Sequence, residues 1–250
     1  MTEVEAVVLL VGGILAGIIN SMAGGGSLLS VPLLSLAGVG GTVANGTNRI
    51  AVLVQNITGA YGYARRDVGD RRRTIQVLVP AMVGGLVGSL AASQIPDEAF
   101  ERIFGLLMLP LLYLSIRTPK VDPDREPWPL WLSSVVFVGV GFYAGAVQAG
   151  VGLIILLVLS RAGFDLVTAN AMKTVVILGV TALAVPVFIV NDQVRWIPAL
   201  VLSVGMGVGG YLGANIAVDG GERVIRPVLI VVVLVLASRM LGLWDVLGIA

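Results

Sequence analysis

Two reactive residue types are absent from this chain. Its 250 residues include no cysteine and no histidine. These absences exclude disulfides, thiolate nucleophiles, imidazole bases and the metal sites that Cys and His build. No two acidic residues face each other within an apolar stretch, so aspartyl chemistry inside a membrane is not indicated either. We therefore predict a protein that is not an enzyme, with no catalytic residue, no metal ligand and no cofactor.

Charged residues are few. They make up 12% of the chain, against roughly 25% in typical soluble domains, whereas hydrophobic residues make up 57%. A mean hydropathy of +0.97 nearly excludes a soluble globular protein. The 16 Lys and Arg against 15 Asp and Glu leave a net charge of +1. No overall field attracts a polyanion, and we expect no nucleic-acid partner.

Apolar stretches follow one another along the chain, separated by bunches of charge. A hydrocarbon core of about 30 Å takes around 20 helical residues, and several stretches approach this length. They are continuously apolar rather than alternating, which favours helices over strands. We predict an all-α polytopic membrane protein of about ten helical segments, with the lipid bilayer as a partner. The segments are 4–19, 28–37, 50–63, 75–92, 103–116, 130–147, 153–160, 171–190, 197–218 and 224–243.

The two halves of the chain resemble each other. Ala16-Gly17 matches Ala144-Gly145, and a polar, proline-rich linker separates the halves. We predict two sequence-related repeats: a first transmembrane repeat at 1–117, a cytoplasmic linker at 118–129 and a second transmembrane repeat at 130–250. The other matches are Gly24 and Gly26 with Gly150 and Gly152, Ala37-Gly38 with Ala162-Gly163, Ala44-Asn45 with Ala169-Asn170, Asp70 with Asp192, and Gly84, Gly85 and Gly88 with Gly209, Gly210 and Gly213.

Glycine clusters interrupt the helical pattern at matching places and lead into unusually short apolar segments. Broken helices at matching places in two repeats are typical of a transporter's binding site, because a break exposes N–H groups and a positive dipole end that bind anions. Tight helix packing is the alternative. We assign the site to Gly24, Gly25, Gly26 and Ser27 with Gly150 and Gly152, and packing to Gly84, Gly85, Gly88, Gly209, Gly210 and Gly213.

Two basic residues, Arg49 and Lys173, lie at or just inside the start of the spans that follow the short segments. A cation at a membrane centre costs roughly 2.5–3.5 kcal/mol, and no acidic residue lies within helical reach of either. An anionic substrate is therefore a natural partner, and snorkelling to a membrane surface is the alternative. Side chains nearby that are able to bind oxyanions, or to cap and join helices, are Asn20, Asn45, Thr47, Asn48, Gln148, Asn170 and Thr174.

These motifs resemble the sulfite exporter TauE/SafE family, the 4-toluene sulfonate uptake permeases. The resemblance rests on Gly17, the run AGGGSLLSVPLL at 23–34 and the run ANGTN at 44–48, with weaker copies in the second half. It implies a carrier of small sulfur-containing anions. Carried over by motif, the pathway is lined by 24–27 and 46–48 in one half and by 150–152 with 170–173 in the other. The second copy departs at Val151 and at Ala171-Met172, so the halves need not contribute equally.

The resulting hypothesis is a secondary carrier that holds a small anion near mid-membrane, between the two glycine breaks. Sulfite or an organosulfonate such as sulfoacetate is the expected substrate. Moving one charge through 100 mV is worth about 2.3 kcal/mol, and a negative cell interior pushes anions outward, so we expect an exporter. A non-transporting membrane scaffold subunit and a carrier of a different small anion remain as alternatives. The oligomeric state stays open.

Basic residues predict the orientation of a multi-pass protein in a bacterial or archaeal plasma membrane. By the positive-inside rule, the loops 65–73 and 117–128 are cytoplasmic. The loop at Asp192 carries only Arg195, whereas its partner at Asp70 is rich in arginine, which favours inverted over parallel repeats. The basic residues of the two cytoplasmic loops are Arg65, Arg66, Arg71, Arg72 and Arg73, and Arg117, Lys120 and Arg125.

Overall fold

The computed structural model describes residues 1–116 and 128–219, and in these ranges every regular element is a helix. The helical prediction is confirmed for the first nine segments. The tenth, at 224–243, lies outside the described residues, as do most of the predicted linker and Arg117, Lys120 and Arg125. The helices are α1 (Glu3–Ala23), α2 (Ser27–Leu36), α3 (Gly41–Ala64), α4 (Arg71–Ala92), α5 (Asp97–Ile116), α6 (Leu130–Ala146), α7 (Val151–Arg161), α8 (Leu166–Val190) and α9 (Trp196–Val218).

Helix α3 begins at Gly41, earlier than its predicted start at residue 50. Its first turns carry polar side chains, which a hydropathy pattern does not recognise as part of a membrane helix. Carboxylates of α5 cap it instead. Asp97 accepts a hydrogen bond of 2.8 Å from the Thr42 N–H, and Glu101 accepts one of 2.9 Å from the Gly41 N–H. Acids at a helix N-terminus also complement its dipole.

Helix α8 likewise begins earlier than predicted, at Leu166 rather than at residue 171. Asp165 is its N-cap and accepts hydrogen bonds of 3.0 Å from the N–H groups of Val167 and Thr168. Burial raises the pKa of Asp165, but these hydrogen bonds outweigh it and the pKa lies below its usual value. These earlier starts place Arg49 and Lys173 in the third turns of their helices, deeper than the sequence predicts.

Four of the described helices are long and apolar enough to cross a membrane, judged by length and composition: Glu3–Met22, Arg71–Ala92, Leu166–Val190 and Trp196–Val218. Exposed apolar side chains form stripes along several helices at helical spacing, which suits contact with lipid rather than water. The chain is therefore a multi-pass membrane protein. Among the stripes are Val7, Val11 and Leu15 on α1, Ile75, Val79 and Val83 on α4, and Leu200, Val204 and Val208 on α9.

Glycines bring two helix pairs into backbone contact, α1 with α9 and α4 with α6. A Cβ atom on Gly209 would overlap the Ile14 carbonyl oxygen, and one on Gly88 would overlap the Phe142 carbonyl oxygen. Small residues permit this close approach between membrane helices. The packing role predicted for the glycines inside the long spans is confirmed.

The order of the contacts along each pair gives the helix directions. Helices α1, α3 and α9 run one way, and α4, α6 and α8 run the opposite way. The defining contacts are Ile14 with Gly209 and Ile18 with Gly213 for α1 and α9, Val54 with Gly207 and Gly62 with Ala214 for α3 and α9, Gly84 with Val138 and Gly88 with Phe142 for α4 and α6, Leu78 with Gly179 and Ser93 with Gln193 for α4 and α8, and Gly46 with Phe188 and Gly59 with Thr174 for α3 and α8.

The short helices turn back alongside the helices that precede them. Gly26 packs against Asn20, and Leu33 packs against Gly12, so α2 runs antiparallel to α1. Helix α7 returns along α6 in the same way, with Leu159 and Phe137 lining one cavity. Because α1 and α6 point in opposite directions, the two hairpins enter the helix bundle from opposite ends.

Two glycines of α6 offer a matched test of the packing. A methyl group on Gly141 would overlap the backbone of Ala81, whereas Gly139 faces open space. We expect Gly141→Ala to lower the free energy of unfolding by about 1–3 kcal/mol through overpacking. Gly139→Ala should leave it unchanged or slightly raised, because alanine favours helix. Thermal unfolding of both variants in detergent measures the difference, and equal effects would contradict this packing.

Candidate functional site

The two glycine breaks meet inside the bundle. A Cβ atom on Gly24 would overlap the backbone of Gly152, and one on Gly152 would overlap the backbone of Gly24. Gly24 and Gly150 also have positive φ angles of 80° and 61°, a conformation that glycine adopts without strain. The breaks predicted from the sequence are thus brought together, with the backbone of one hairpin touching that of the other.

The short helices begin at these breaks without a side-chain cap. Their N-cap residues are Gly26 for α2 and Gly150 for α7, and no side chain supplies a capping hydrogen bond at either position. Among the hydrogen bonds of the described residues, none uses the N–H groups of Gly25, Gly26 or Gly152. Unpaired N–H groups and the positive end of the helix dipole make such a terminus attractive to anions.

Arg49 extends from α3 to the C-terminal end of α6. Its side chain is fully buried. Nη1 donates to the Ala144 carbonyl at 3.1 Å, and Nη2 donates to the carbonyls of Gly145 and Ala146. The guanidinium also lies 4.5 Å from the centroid of the Phe188 ring. A cation here satisfies carbonyls that a helix end leaves unpaired and neutralises the negative end of its dipole.

Lys173 does the same for α1. It extends from α8, is fully buried, and its Nζ donates to the carbonyls of Asn20 at 2.7 Å and Ser21 at 3.2 Å. A third hydrogen bond of 2.7 Å goes to Oδ1 of Asn170 on its own helix. Each half of the chain therefore supplies the cation that caps the broken helix of the other half.

This burial excludes snorkelling for both cations, because neither head group reaches a surface. Helix carbonyls are their partners, a kind of partner that is not among those predicted from the sequence. The cations also lie apart. Gly59, ten positions after Arg49 on α3, contacts Thr174 beside Lys173, and ten helical residues rise about 15 Å. The two side chains therefore start from different levels of the helix bundle.

Asn45 and Asn48 lie on the same side of the site as Arg49. Nδ2 of Asn45 donates to the Ala146 carbonyl at 2.9 Å, adding a second cap to α6. Oδ1 of Asn48 accepts a hydrogen bond of 2.6 Å from Ser30 on α2. Two donors here have no partner among the described residues, Nδ2 of Asn48 and Nε of Arg49, and both are fully buried.

Three other predicted residues bond to their own or neighbouring helices. Thr47 accepts a hydrogen bond of 2.9 Å from the Arg195 N–H at the start of α9. Thr174 donates to the Asn170 carbonyl one turn earlier in α8. Gln148, beside the second break, has a positive φ of 62° and donates to Thr181 at 2.9 Å. The hydroxyls of Thr47 and Thr174 thus form hydrogen bonds that stabilise helices.

A buried polar network near the first break joins the predicted residue Asn20 to three residues that were not predicted, Ser21, Gln55 and Tyr63. Asn20 donates to Oε1 of Gln55 at 2.6 Å, and Nε2 of Gln55 donates to the hydroxyl of Ser21 at 2.8 Å. The Tyr63 hydroxyl donates to the Ser21 carbonyl at 2.9 Å. Gln55 follows Asn48 by seven residues and so lies on the same helix face, which is the sequence signal that could have identified it.

Comparison with known proteins gives one family. The family model described as Sulfite exporter TauE/SafE matches residues 9–240. The chain is 28% identical over 240 residues to the Probable membrane transporter protein ORF9 of Sinorhizobium sp, covering 94% of this chain and 91% of that protein. It is 26% identical over 232 residues to a Probable membrane transporter protein of Haemophilus influenzae, covering 91% of each. It is 27% identical over 234 residues to the Probable membrane transporter protein YfcA of Escherichia coli, covering 91% of this chain and 86% of that protein. No solved structure matches the chain.

The capping of α6 by Arg49 is open to a direct test. Arg49→Leu leaves the carbonyls of Ala144 and Gly145 without the donor that they have in the wild-type protein. Because an unpaired buried polar group costs about 1–3 kcal/mol, we expect the free energy of unfolding to fall by about 3 kcal/mol. Arg161→Leu removes a charge at the exposed end of α7 and should leave stability nearly unchanged. Thermal unfolding in detergent compares the two, and equal stability would contradict the capping role.

Proposed function

Because the chain belongs to the sulfite exporter TauE/SafE family of membrane transporters, we propose that it is a secondary carrier that exports small sulfur-containing anions such as sulfite or an organosulfonate. Family membership makes it a multi-pass membrane transporter rather than an enzyme. The substrate, the direction of transport and the mechanism are the proposal. They rest on the helix ends that meet at Gly24 and Gly152.

The main support for an anion site is that two of the helix ends at the breaks are neutralised and the other two are not. Four helix ends lie at the two breaks, and two of them are negative C-termini. Arg49 and Lys173 neutralise those C-termini, whereas the positive N-termini of α2 and α7 have no cap. The remaining field at the breaks is positive, which favours an anion there. In this account the cations act on the substrate mainly through the helix ends that they neutralise.

Two buried N–H donors without a partner offer direct hydrogen bonds to a bound anion. Nε of Arg49 and Nδ2 of Asn48 are buried without a hydrogen-bond partner among the described residues. Each buried donor costs free energy until it is paired, and an oxyanion presents acceptors only. Both donors lie where α3 faces α2 and the end of α6. A substrate oxygen there would satisfy them, so we place the anion on this side of the glycine contact.

The helix directions support inverted repeats as the basis of alternating access. Helix α1 is antiparallel to α6, its counterpart in the predicted second repeat, and the pairing of α1 with α9 is mirrored by that of α4 with α6. Transporters with inverted repeats rock or gate one element against another around a central site. Here the contact between Gly24 and Gly152 closes the transport pathway, and separation of the two hairpins opens it.

The position of the arginine-rich loop supports the proposed orientation. The end of α3, the start of α4 and the start of α8 share one end of the bundle, where Arg73 lies 5.7 Å from the Phe164 ring. The turn at Asp192 lies at the other end. With the loop 65–73 cytoplasmic, a negative cell interior drives an anion outward. In the described ranges, the acidic residues nearest the membrane spans are Asp97, Glu101 and Asp165. Their carboxylates cap helix N-termini and form no proton relay.

Ligand-dependent thermal stability tests the anion site. Binding to the native state stabilises it by RT ln(1 + [L]/Kd), so sulfite, thiosulfate or sulfoacetate should raise Tm more than sulfate, nitrate or acetate. In Asn48→Leu, loss of a charged hydrogen bond should weaken binding about tenfold. Asn56→Leu is the matched control on α3, because the unpartnered atom of Asn56 is an acceptor. A flat response in folded protein would favour the scaffold alternative.

Cysteine labelling tests the orientation with no background, because the chain has no cysteine. Asp67 and Asp192 are exposed turn residues with similar φ angles of 53° and 56°. A membrane-impermeant maleimide added to intact cells should label Asp192→Cys and leave Asp67→Cys unlabelled until the cells are permeabilised. The reverse pattern would place the arginine-rich loop outside, and labelling of both in intact cells would contradict opposite sides.

A further inference from the structure

A cavity of about 340 Å³ opens between α4, α6, α7 and α8, away from the glycine contact. Its volume lies within the range of about 300–1,000 Å³ that is typical of small-molecule sites. It lies at the same end of the bundle as the arginine-rich loop. The side chains that matter for its chemistry are Arg72, Arg73, Gln76, Ser133, Phe137 and Phe164.

The cavity combines two cations with apolar walls. Arg72 and Arg73 line it, and among the residues that the structure describes no acidic one does. Neither arginine forms an ion pair with a described residue. The Arg73 guanidinium lies 5.7 Å from the centroid of the Phe164 ring, and Phe137 forms a buried part of the wall. A ligand that fits both features carries an oxyanion group on a compact apolar body.

The arginines are also placed against the helix dipole. Arg71, Arg72 and Arg73 are the first three residues of α4, where the dipole is positive. Cations are unfavourable at such an end, where the Asp70 side chain supplies one negative charge by capping the Arg73 N–H. The positive-inside rule accounts for arginine anywhere in this loop, but it does not account for a pair that lines a cavity. An anion bound between Arg72 and Arg73 would reduce the repulsion between the two guanidinium groups and their repulsion from the positive end of α4.

Two of the helices that line the cavity also reach the glycine breaks. Met172 lines it and directly precedes Lys173, which caps α1 beside Gly24. Leu159 lines it from α7, the helix that starts at the second break. The cavity therefore lies nearer the arginine-rich end than the glycine breaks do, on helices that also reach those breaks.

We propose that this cavity is a vestibule that binds an organosulfonate before it reaches the breaks. Its sulfonate lies at Arg72 and Arg73, and its carbon body lies against Phe137 and Phe164. This selects an organic sulfonate over bare sulfite, which has no apolar surface to bury. The direction of passage rests on the proposed function, whereas binding in the cavity does not depend on it.

Benzenesulfonate binding to the full chain in phosphatidylcholine nanodiscs, measured by isothermal titration calorimetry, tests the vestibule. The double variant Arg72→Gln/Arg73→Gln should bind about tenfold more weakly or worse, through the loss of charged hydrogen bonds. The double variant Arg65→Gln/Arg66→Gln removes the same charge from the same loop outside the cavity and should keep wild-type affinity. If both variants lose affinity equally, only surface charge is at work and the vestibule is wrong.

A second variant leaves the charge in place. Ser133→Phe fills the cavity and should weaken benzenesulfonate binding while sulfite binding stays unchanged. Retained benzenesulfonate affinity in both Ser133→Phe and Arg72→Gln/Arg73→Gln would overturn the proposal, even if sulfite efflux from vesicles continues and the carrier function stands. Conversely, arginine-dependent binding without any anion flux would support the vestibule and contradict the carrier. Loss of benzenesulfonate binding when phosphatidylglycerol is added would assign the cavity to a lipid headgroup and overturn the proposal.

Discussion

The capping of two broken helices by buried cations is the constraint on which the rest of the site depends. A helix that ends inside a membrane protein leaves its last carbonyls without water, and each needs another partner. Arg49 supplies it for α6 and Lys173 for α1. Because these ends are satisfied within the bundle, the chain can reverse there, and the short helices α2 and α7 can begin in the interior. The glycine contact and the uncapped N-termini follow from this arrangement.

The same interaction ties the two halves of the chain together. Arg49 belongs to the first half and caps a helix of the second, and Lys173 does the reverse. The glycine-lined pairs α1 with α9 and α4 with α6 also join different halves. Neither half therefore has a complete core or a complete set of caps by itself. We expect the halves to fold as one unit, since each leaves buried carbonyls unpaired without the other.

Much of this arrangement could be predicted from the sequence, because hydropathy and glycine spacing are local signals. The nine described helices, the two breaks and the place of Arg49 and Lys173 inside the protein all follow from them. The partners of the two cations could not be predicted, because backbone carbonyls carry no sequence signature. The starts of α3 and α8 were missed for a related reason. Their first turns bury polar groups such as Asn45 against protein rather than lipid, and hydropathy does not separate the two environments.

The caps also restrict how the glycine contact opens. An anion passes between the hairpins only if Gly24 and Gly152 move apart, since their backbones touch. If α1 moved alone, the carbonyls of Asn20 and Ser21 would lose their hydrogen bonds to the Lys173 ammonium. If it moves together with α8, those hydrogen bonds persist. The same holds for α6 with α3 through Arg49. Motion that keeps both charged caps in place therefore carries each hairpin with the long helix of the opposite half, so these moving units cut across the two sequence repeats.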